Sequence, residues 1–471
     1  MNNLKKVYCR AYQAVFKAAL PILPYRDPAV LESVDEVPAT IRDNGRKKPL
    51  IVTDKTIHGL GLADGLKAAL DAAGMGYAVF DETVPNPTIA NVEACRAMYL
   101  RQGCDCLVAF GGGSAMDCAK ATGARIVRPR TSVQRMRGIL RIMVPIPLLI
   151  AVPTTAGTGS ETTLAAVIVN EATHYKYPIN DFPLIPRYAV LDYRTTLGLP
   201  PHVTSTTGID ALVHATEAYI GGSTTPETRA NAEEAVKLIR AYLKRAYDDG
   251  QDAEARQGML RAAYCAGAAF SKSYVGYVHG VAHSLGGQYG TPHGLANAVV
   301  CPYVLEMYGE SCYKRLGKLA RTCGIAPEDA TDAEASALYI QWFRNLNASM
   351  DIPTKLPEVR EEDIPHMAHL ADVESNPLYP VPRLMDEGEL AEIYRKVMVV
   401  ADEPESLEPE HVEPEPAPET PEVEEGVAMS GACPVDSCPA NPSEHVEPEP
   451  KPADFETPEP GAAATPTEEQ E

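Results

Sequence analysis

Three of the chain's eleven histidines lie within fifteen residues, in the stretch YVHGVAHSLGGQYGTPHGLAN. His279 and His283 are four residues apart, so on a helix they share one face. His293 follows the segment LGGQYGTP, whose glycines and proline favour a turn. Neutral imidazole is a common ligand of transition metals, so this crowding indicates a metal site.

A second pair lies about seventy residues upstream. The segment GIDALVHATEAY places Asp210 and His214 four apart, again on one helical face. Alone, such a pair is most often a surface pair or a cap. Together with the downstream histidines, it could bring one carboxylate and several imidazoles onto a single divalent cation. These ligands suit iron(II) or zinc, and an open coordination position would make the site catalytic rather than structural.

A glycine-rich turn in CLVAFGGGSAMDCAKATG indicates a phosphate-binding site. Gly111, Gly112 and Gly113 follow an apolar strand and let the backbone approach a ligand closely. Ser114 opens the next helix, whose N-terminus attracts a pyrophosphate. The turn is neither the G-x-G-x-x-G fingerprint nor a P-loop. Such turns are also often purely structural.

Two further segments could contact the same ligand. AVPTTAGTGSE repeats the arrangement after a buried strand, with the hydroxyls of Thr154, Thr155 and Thr158. Asp54 ends the strand PLIVTD, where a carboxylate suits the hydroxyls of an adenosine ribose and would repel a 2′-phosphate. The alternative for Asp54 is a helix N-cap.

The elements that must position these residues change in character along the chain. Residues 1–199 alternate short apolar strands with helices, which predicts an α/β domain with a parallel sheet. The predicted strands are PLIVTD, YAVFD, CLVAFGGG, LLIAVPTT and YAVLD. Residues 200–400 predict an all-α domain, with PETRANAEEAVKLIRAYLKRAYDDG as its plainest helix. The first residues, MNNLKKVYCRAYQAVFKAAL, predict an amphipathic helix rather than a signal peptide.

Residues 401–471 predict a disordered tail. From Asp402 onward the chain carries 21 acidic residues and one basic residue, with 15 prolines and a repeat of EHVEPEP. We expect an extended arm without a part in turnover, either merely solubilising or docking a basic partner. Cys433 and Cys438 lack Cys-x-x-Cys spacing, which counts against a metal or redox role.

Composition excludes several function classes for the rest of the chain. Without the tail it is close to neutral, so nucleic acid is not an expected partner. The longest apolar run is too short to span a bilayer. Eleven scattered cysteines fit a reduced cytoplasm better than a disulfide framework.

Taken together, the motifs resemble those of the iron-containing (group III) alcohol dehydrogenases. The resemblance covers roughly residues 48–400. It rests on TDK at Thr53, VPNPT at Val84, GGGSAMDCAK at Gly111, PTTAGTGSE at Pro153, GIDALVHATEAY at Gly208 and VHGVAH…TPHGLAN at Val278. It implies an α/β dinucleotide-binding domain, an all-α metal-binding domain and a homodimer.

The resemblance also implies roles for individual residues. The metal ligands would be Asp210, His214, His279 and His293. His283 would lie near the nicotinamide as a catalytic residue that moves the alcohol proton. The contacts to NAD would be Asp54, Asn86, Gly111, Gly112, Gly113, Ser114, Asp117, Thr154, Thr155, Thr158 and Lys176. The metal would be Fe²⁺, with Zn²⁺ as the alternative.

The implied activity is hydride transfer between NAD(H) and a primary alcohol or aldehyde. A related glycerol-type polyol dehydrogenase and a dehydroquinate-type synthase share this two-domain plan, but the complete PTTAGTGSE and TPHGLAN motifs count against both. A scaffold protein that keeps the fold is the alternative outside enzymes. The complete ligand set counts against it.

Overall fold

The computed structural model describes residues 1–172 and 175–399. The tail predicted for residues 401–471 therefore lies outside the described residues. In the described part, no helix combines the length and the apolar character needed to cross a membrane.

The strands form two sheets. In chain order they are β1 (Ala29–Leu31), β2 (Pro49–Val52), β3 (Ala78–Phe80), β4 (Cys106–Gly111), β5 (Gly138–Ile139), β6 (Leu148–Pro153), β7 (Ala165–Asn170), β8 (Tyr175–Asn180) and β9 (Tyr188–Val190). Six strands make a parallel sheet in the order β1-β9-β6-β4-β2-β3, and β5, β8 and β7 make a small mixed sheet. All five predicted strands are present in the larger sheet, which confirms the predicted fold class. The sequence reading missed β1 and the small sheet.

The helices in chain order are α1 (Asn3–Ala19), α2 (Val37–Asp43), α3 (Lys55–Gly59), α4 (Asp64–Ala72), α5 (Ile89–Gln102), α6 (Gly113–Val127), α7 (Pro201–Ile220), α8 (Pro226–Asp248), α9 (Ala253–Ser273), α10 (Tyr277–Tyr289), α11 (His293–Tyr308), α12 (Glu310–Thr322), α13 (Asp332–Ala348), α14 (Ile364–Ser375) and α15 (Glu387–Val397). The helix predicted from Pro226 is α8, with a Thr225 N-cap before it. From α7 onward the named elements are all helices, as predicted.

The order of the parallel strands determines where a ligand can bind. The chain passes from β2 outward to β3, and then returns to the other side of β2 with β4 and β6. The connections therefore diverge between β2 and β4. In open α/β sheets, the crevice at the carboxyl ends of strands that flank such a point is the usual ligand site. The turn at Gly111 lies there.

Helix α7 lies at the centre of the helical half. It is buried almost continuously from Thr204 to Ile220. At Gly208 a Cβ atom would lie 2.3 Å from Leu243, so the missing side chain lets α8 pack directly against α7. Polar side chains on α7 are therefore placed in a dry, rigid environment.

Helix α1 leaves several apolar side chains exposed and buries a polar one. Its buried residues are Cys9 and Gln13, whereas Leu4, Val7 and Val15 are 80%, 66% and 71% exposed. The predicted helix is thus confirmed, but several of its apolar side chains face solvent, and its hydrogen bonds and ion pairs with the body are numerous.

A fully buried lysine joins α6 to the segment that follows β6. Lys120 Nζ lies 2.7–3.0 Å from five oxygens of Ser160, Thr163 and Ala165, which share its three N–H donors. Burial lowers the pKa of Lys120 to about 8. The two predicted nucleotide segments are therefore held together by one ammonium group.

We expect Lys120→Met to destabilise the chain by about 3 kcal/mol, because buried oxygens would lose their donor. Denaturant unfolding followed by circular dichroism measures this, with the exposed Lys318→Met as control. Equal stability of the two variants would contradict the role assigned to the Lys120 network.

Candidate metal and dinucleotide site

The four residues predicted as metal ligands lie together. Asp210 and His214 are on α7, His279 is on α10, and His293 begins α11. Each offers one ligand atom, and these atoms all lie within 4.8 Å of one another. Three helices separated in sequence thus bring one carboxylate and three imidazoles to a single point.

Asp210 Oδ1 is the common neighbour of the three rings. It lies 4.0 Å from His214 Nδ1, 3.9 Å from His279 Nε2 and 3.4 Å from His293 Nε2. His214 Nδ1 and His279 Nε2 are buried and have no hydrogen-bond partner. A buried polar atom without a partner costs about 1–3 kcal/mol. The residues present therefore fit a divalent cation, which would engage these nitrogens.

The protonation of the rings agrees with this interpretation. Burial lowers the pKa of His214, and it lowers the pKa of His279 well below the usual value. Burial also lowers the pKa of His293 to about 4. Neutral imidazole, the form favoured at pH 7, is the form that binds a metal.

A carboxylate that the sequence reading missed orients His279. Glu217 lies on α7, and its Oε2 is 2.6 Å from His279 Nδ1. Its oxygens also accept the N–H groups of Gly276 and Val278 at 2.8 and 2.9 Å. This contact leaves His279 Nε2 facing Asp210. Burial raises the pKa of Glu217 to about 7.

The signal for Glu217 was present in the sequence, since it lies three residues after His214 on one helical face. Asn297 carried the same kind of signal, since it lies four residues after His293 on α11, whereas Phe270 carried none. Asn297 Nδ2 donates to Asp210 Oδ1 at 2.7 Å, and the Phe270 ring stacks on His214 with centroids 4.1 Å apart. Partners of this kind hold metal ligands in orientation.

His283 lies beside the four ligands and has a different partner. Its ring stacks on His293 with centroids 5.1 Å apart, and its Nδ1 is 2.5 Å from Glu374 Oε1. Burial lowers the pKa of His283, but the Glu374 carboxylate more than offsets this, so the net direction is upward. The structure thus places His283 at the site without including it in the ligand cluster.

The glycine turn lies at the carboxyl end of β4. Gly111 has φ +155°, and a Cβ there would lie 2.7 Å from Ala115 Cβ. Gly112 is the N-cap of α6 and makes no side-chain cap hydrogen bond. Thr155 and Thr158 lie beside Gly112 and Gly113, at 3.5 and 3.4 Å from the positions of their missing Cβ atoms. The structure therefore brings the two predicted nucleotide segments to one helix N-terminus.

Asp54, Asn86 and Ser114 surround this turn. Asp54 Oδ1 accepts the Ile57 N–H at 2.9 Å, so it is the N-cap of α3 that the alternative interpretation expected. The N–H of Asn86 donates to Ser114 Oγ at 3.2 Å, and Lys176 Nζ donates to Asn86 Oδ1 at 2.8 Å.

Asp117 and Thr154 have contacts within the protein. Asp117 accepts the Ser160 hydroxyl at 3.2 Å and the Val167 N–H at 3.0 Å. The Thr154 N–H donates to the Gly111 carbonyl at 3.2 Å. Both therefore stabilise the segments that surround the turn.

The segment after β6 also joins the two halves of the site. A Cβ on Gly157 would lie 2.5 Å from the Thr207 carbonyl oxygen on α7, three residues before Asp210. Gly159 has φ +60° and approaches Gly267 of α9 equally closely, with 2.7 Å from its Cβ position to Gly267 Cα. The nucleotide segment thus lies directly against the helix that carries two metal ligands.

Comparison with curated proteins finds relatives along most of the chain. It is 39% identical to alcohol dehydrogenase 4 of Saccharomyces cerevisiae, over 74% of this chain and 90% of that protein. It is 37% identical to 1,3-propanediol dehydrogenase of Citrobacter freundii, over 75% and 92%. It is 35% identical to the NAD-dependent methanol dehydrogenase of Bacillus methanolicus, over 78% and 96%.

Solved structures and family models agree with these relatives. The structure of a 1,3-propanediol oxidoreductase superposes with a TM-score of 0.76 and 35% identity, covering 79% of this chain and 99% of that one. Residues 31–193 match the model described as iron-containing alcohol dehydrogenase, and residues 204–398 match that of the Fe-containing alcohol dehydrogenase family, C-terminal. The chain belongs to the iron-containing alcohol dehydrogenase family.

Proposed function

We propose that this chain is a metal-dependent oxidoreductase that transfers hydride between NAD(H) and a primary alcohol or aldehyde. The observation that carries the proposal is the cluster of Asp210, His214, His279 and His293, in which two buried nitrogens lack a partner. This cluster lies against the segment that reaches the glycine turn. Turnover of short aldehydes with NADH, measured after loading with Fe²⁺ or Zn²⁺, tests it.

Each part of the site has a task in this reaction. The N-terminus of α6 and the turn at Gly111 would bind the pyrophosphate. The segment around Thr158 would place the nicotinamide against α7. The metal, when bound by the four ligands, would supply a Lewis acid that lowers the pKa of the alcohol hydroxyl. His283 would carry the released proton away from the reacting oxygen.

Further expectations belong to this proposal. Fe²⁺ is the proposed metal, with Zn²⁺ as the alternative that the same ligands accept. The nine cysteines described are free and buried, which supports a reducing, cytoplasmic location. The resemblance supports a homodimer. For the segment 401–471 we keep the proposal of an arm without a part in turnover, either merely solubilising or docking a basic partner.

We expect His279→Ala to remove both metal and activity, because His279 Nε2 is one of the buried nitrogens without a partner. Elemental analysis of anaerobically purified protein measures the metal. The exposed His366→Ala is the control. A full equivalent of metal in His279→Ala would disprove the assignment.

A preference for NAD(H) over NADP(H) should depend on the charge of Asp54. Asp54→Asn removes that charge but keeps an oxygen for the Ile57 N–H, so α3 stays capped. We expect the ratio of kcat/KM for the two cofactors to fall about tenfold in this variant. An unchanged ratio would show that Asp54 acts only as a cap.

His283→Ala should keep its metal and lose turnover by about 10²-fold, the size typical of general acid–base groups. Metal content and kcat are measured on the same preparation. Loss of metal from this variant would instead show that His283 is a metal ligand.

A further inference from the structure

The partner of His283 is itself held by a second group. Glu374 Oε1 lies 2.5 Å from His283 Nδ1 and also accepts the Tyr379 hydroxyl at 2.6 Å. Glu374 is near the end of α14, and Tyr379 lies in the loop that follows it. A carboxylate that accepts from Nδ1 fixes the ring orientation and leaves Nε2 available for proton transfer. The Tyr379 hydroxyl thus holds the carboxylate of Glu374 in the position from which it contacts His283.

The loop that carries Tyr379 is in turn held by α1. Gln13 is buried, and its Nε2 donates to the backbone carbonyls of Tyr379 at 2.7 Å and Pro377 at 3.2 Å. Arg10 donates to the carbonyls of Val381 and Pro382 at 2.7 and 3.0 Å. Four carbonyls of one short loop are therefore satisfied by two side chains of the N-terminal helix.

Two charged contacts extend the same attachment. Lys5 Nζ pairs with Asp372 on α14, and the amino group of Met1 pairs with Asp386, the N-cap of α15. The contacts of α1 thus follow the segment from α14 to α15 that contains Glu374 and Tyr379.

Apolar burial of α1 is small: Cys9 enters the core, and the Phe16 ring meets Tyr274 edge-on with centroids 4.8 Å apart. The helix leaves Leu4, Val7 and Val15 mostly exposed and uses polar side chains to hold the loop. It also precedes residue 31, where the family match begins. Helix α1 therefore lies outside the residues that match the family models, whereas the loop it holds lies inside them.

We propose that Glu374 is a positioning residue for His283, and that α1 holds it in place through Gln13 and the Tyr379 loop. The inference rests on the proposed role of His283. Among the described residues, the side-chain hydrogen bonds of Glu374 go to His283 and Tyr379. We therefore expect its effect on turnover to pass through the orientation of the imidazole.

The first test compares Glu374→Ala with Glu374→Gln. Glu374→Ala should lower kcat about tenfold or more with little change in the KM of the aldehyde and with full metal content. Glu374→Gln keeps an oxygen that can accept from Nδ1 and should recover most of that loss. The matched control is Glu387→Ala, which breaks an exposed His369–Glu387 contact of 2.9 Å and should leave kcat unchanged.

A double variant separates positioning from general damage. If Glu374 acts through His283, Glu374→Ala should cost nothing further in the His283→Ala background. A full additional loss there would overturn the proposal, as would a Glu374→Ala variant with wild-type kcat. The proposal would also be overturned if kcat of Glu374→Gln were no higher than kcat of Glu374→Ala.

The part played by α1 is tested by Gln13→Met, which keeps the volume but removes the donor to the Tyr379 carbonyl. It should lower kcat severalfold, in the same direction as Glu374→Ala. Lys17→Ala removes a different α1 contact, to the Gly222 carbonyl, and should leave kcat unchanged. Equal kcat in the two variants would limit α1 to a structural role.

One readout is independent of turnover. Nitrogen-15 NMR of the histidine rings reports whether His283 Nδ1 carries the proton, and Glu374→Ala should change that signal. If the wild type is active and Glu374→Ala leaves the His283 signal unchanged, the role assigned to Glu374 is overturned and the proposed function still stands. Absence of turnover in the wild type, with the signal change present, would overturn the proposed function and leave the contact assignment standing.

Discussion

The organisation of the site follows from the burial of a polar face on α7. Asp210, His214 and Glu217 lie on a helix that is otherwise packed in the apolar core, where polar groups must find partners. Glu217 accepts hydrogen bonds from two backbone N–H groups and contacts the His279 ring, and Asp210 accepts one from the Asn297 amide. These partners leave two ring nitrogens without a hydrogen bond, His214 Nδ1 and His279 Nε2, and both face Asp210. The predicted metal site thus lies where the buried polar face of α7 meets the His279 ring of α10.

The same constraint explains how the α/β half is attached. A cofactor on the sheet is useful only if its reactive end reaches α7, so the segment after β6 must approach that helix with backbone alone. Glycine at positions 157 and 159 permits this approach. Lys120 holds the start of the following strand against α6, so the segment is fixed at both ends. Rigid placement of this kind favours catalysis, because small misplacements of reacting groups are costly.

Local spacing made much of this predictable. The helical pairs Asp210–His214 and His279–His283 and the glycine turn each lie within one element, and the five buried strands are continuous apolar runs. Glu374, Tyr379 and Gln13 could not be found in this way, because the contacts that link this group to His283 and to α1 join residues 91 and 366 positions apart and depend on packing that no local pattern encodes. Strand length does not explain the strands that were missed, since β1 has three residues like the predicted β3 and β9, and β7 and β8 have six. In β8, Lys176 and Pro178 interrupt the apolar run on which the prediction depended.

The polar attachment of α1 makes it respond to its solvent differently from the rest of the fold. Electrolyte shortens the range of charge interactions from about 10 Å at 0.1 M to about 3 Å at 1 M, and this weakens exposed ion pairs. Burial of apolar side chains is not weakened in this way, and sulfate or phosphate strengthens it. Ionic strength therefore acts on the Met1–Asp386 and Lys5–Asp372 pairs of α1, but not on the apolar core. A brine would loosen these two points of attachment, whereas the neutral, buried hydrogen bond from Gln13 to the Tyr379 loop would persist.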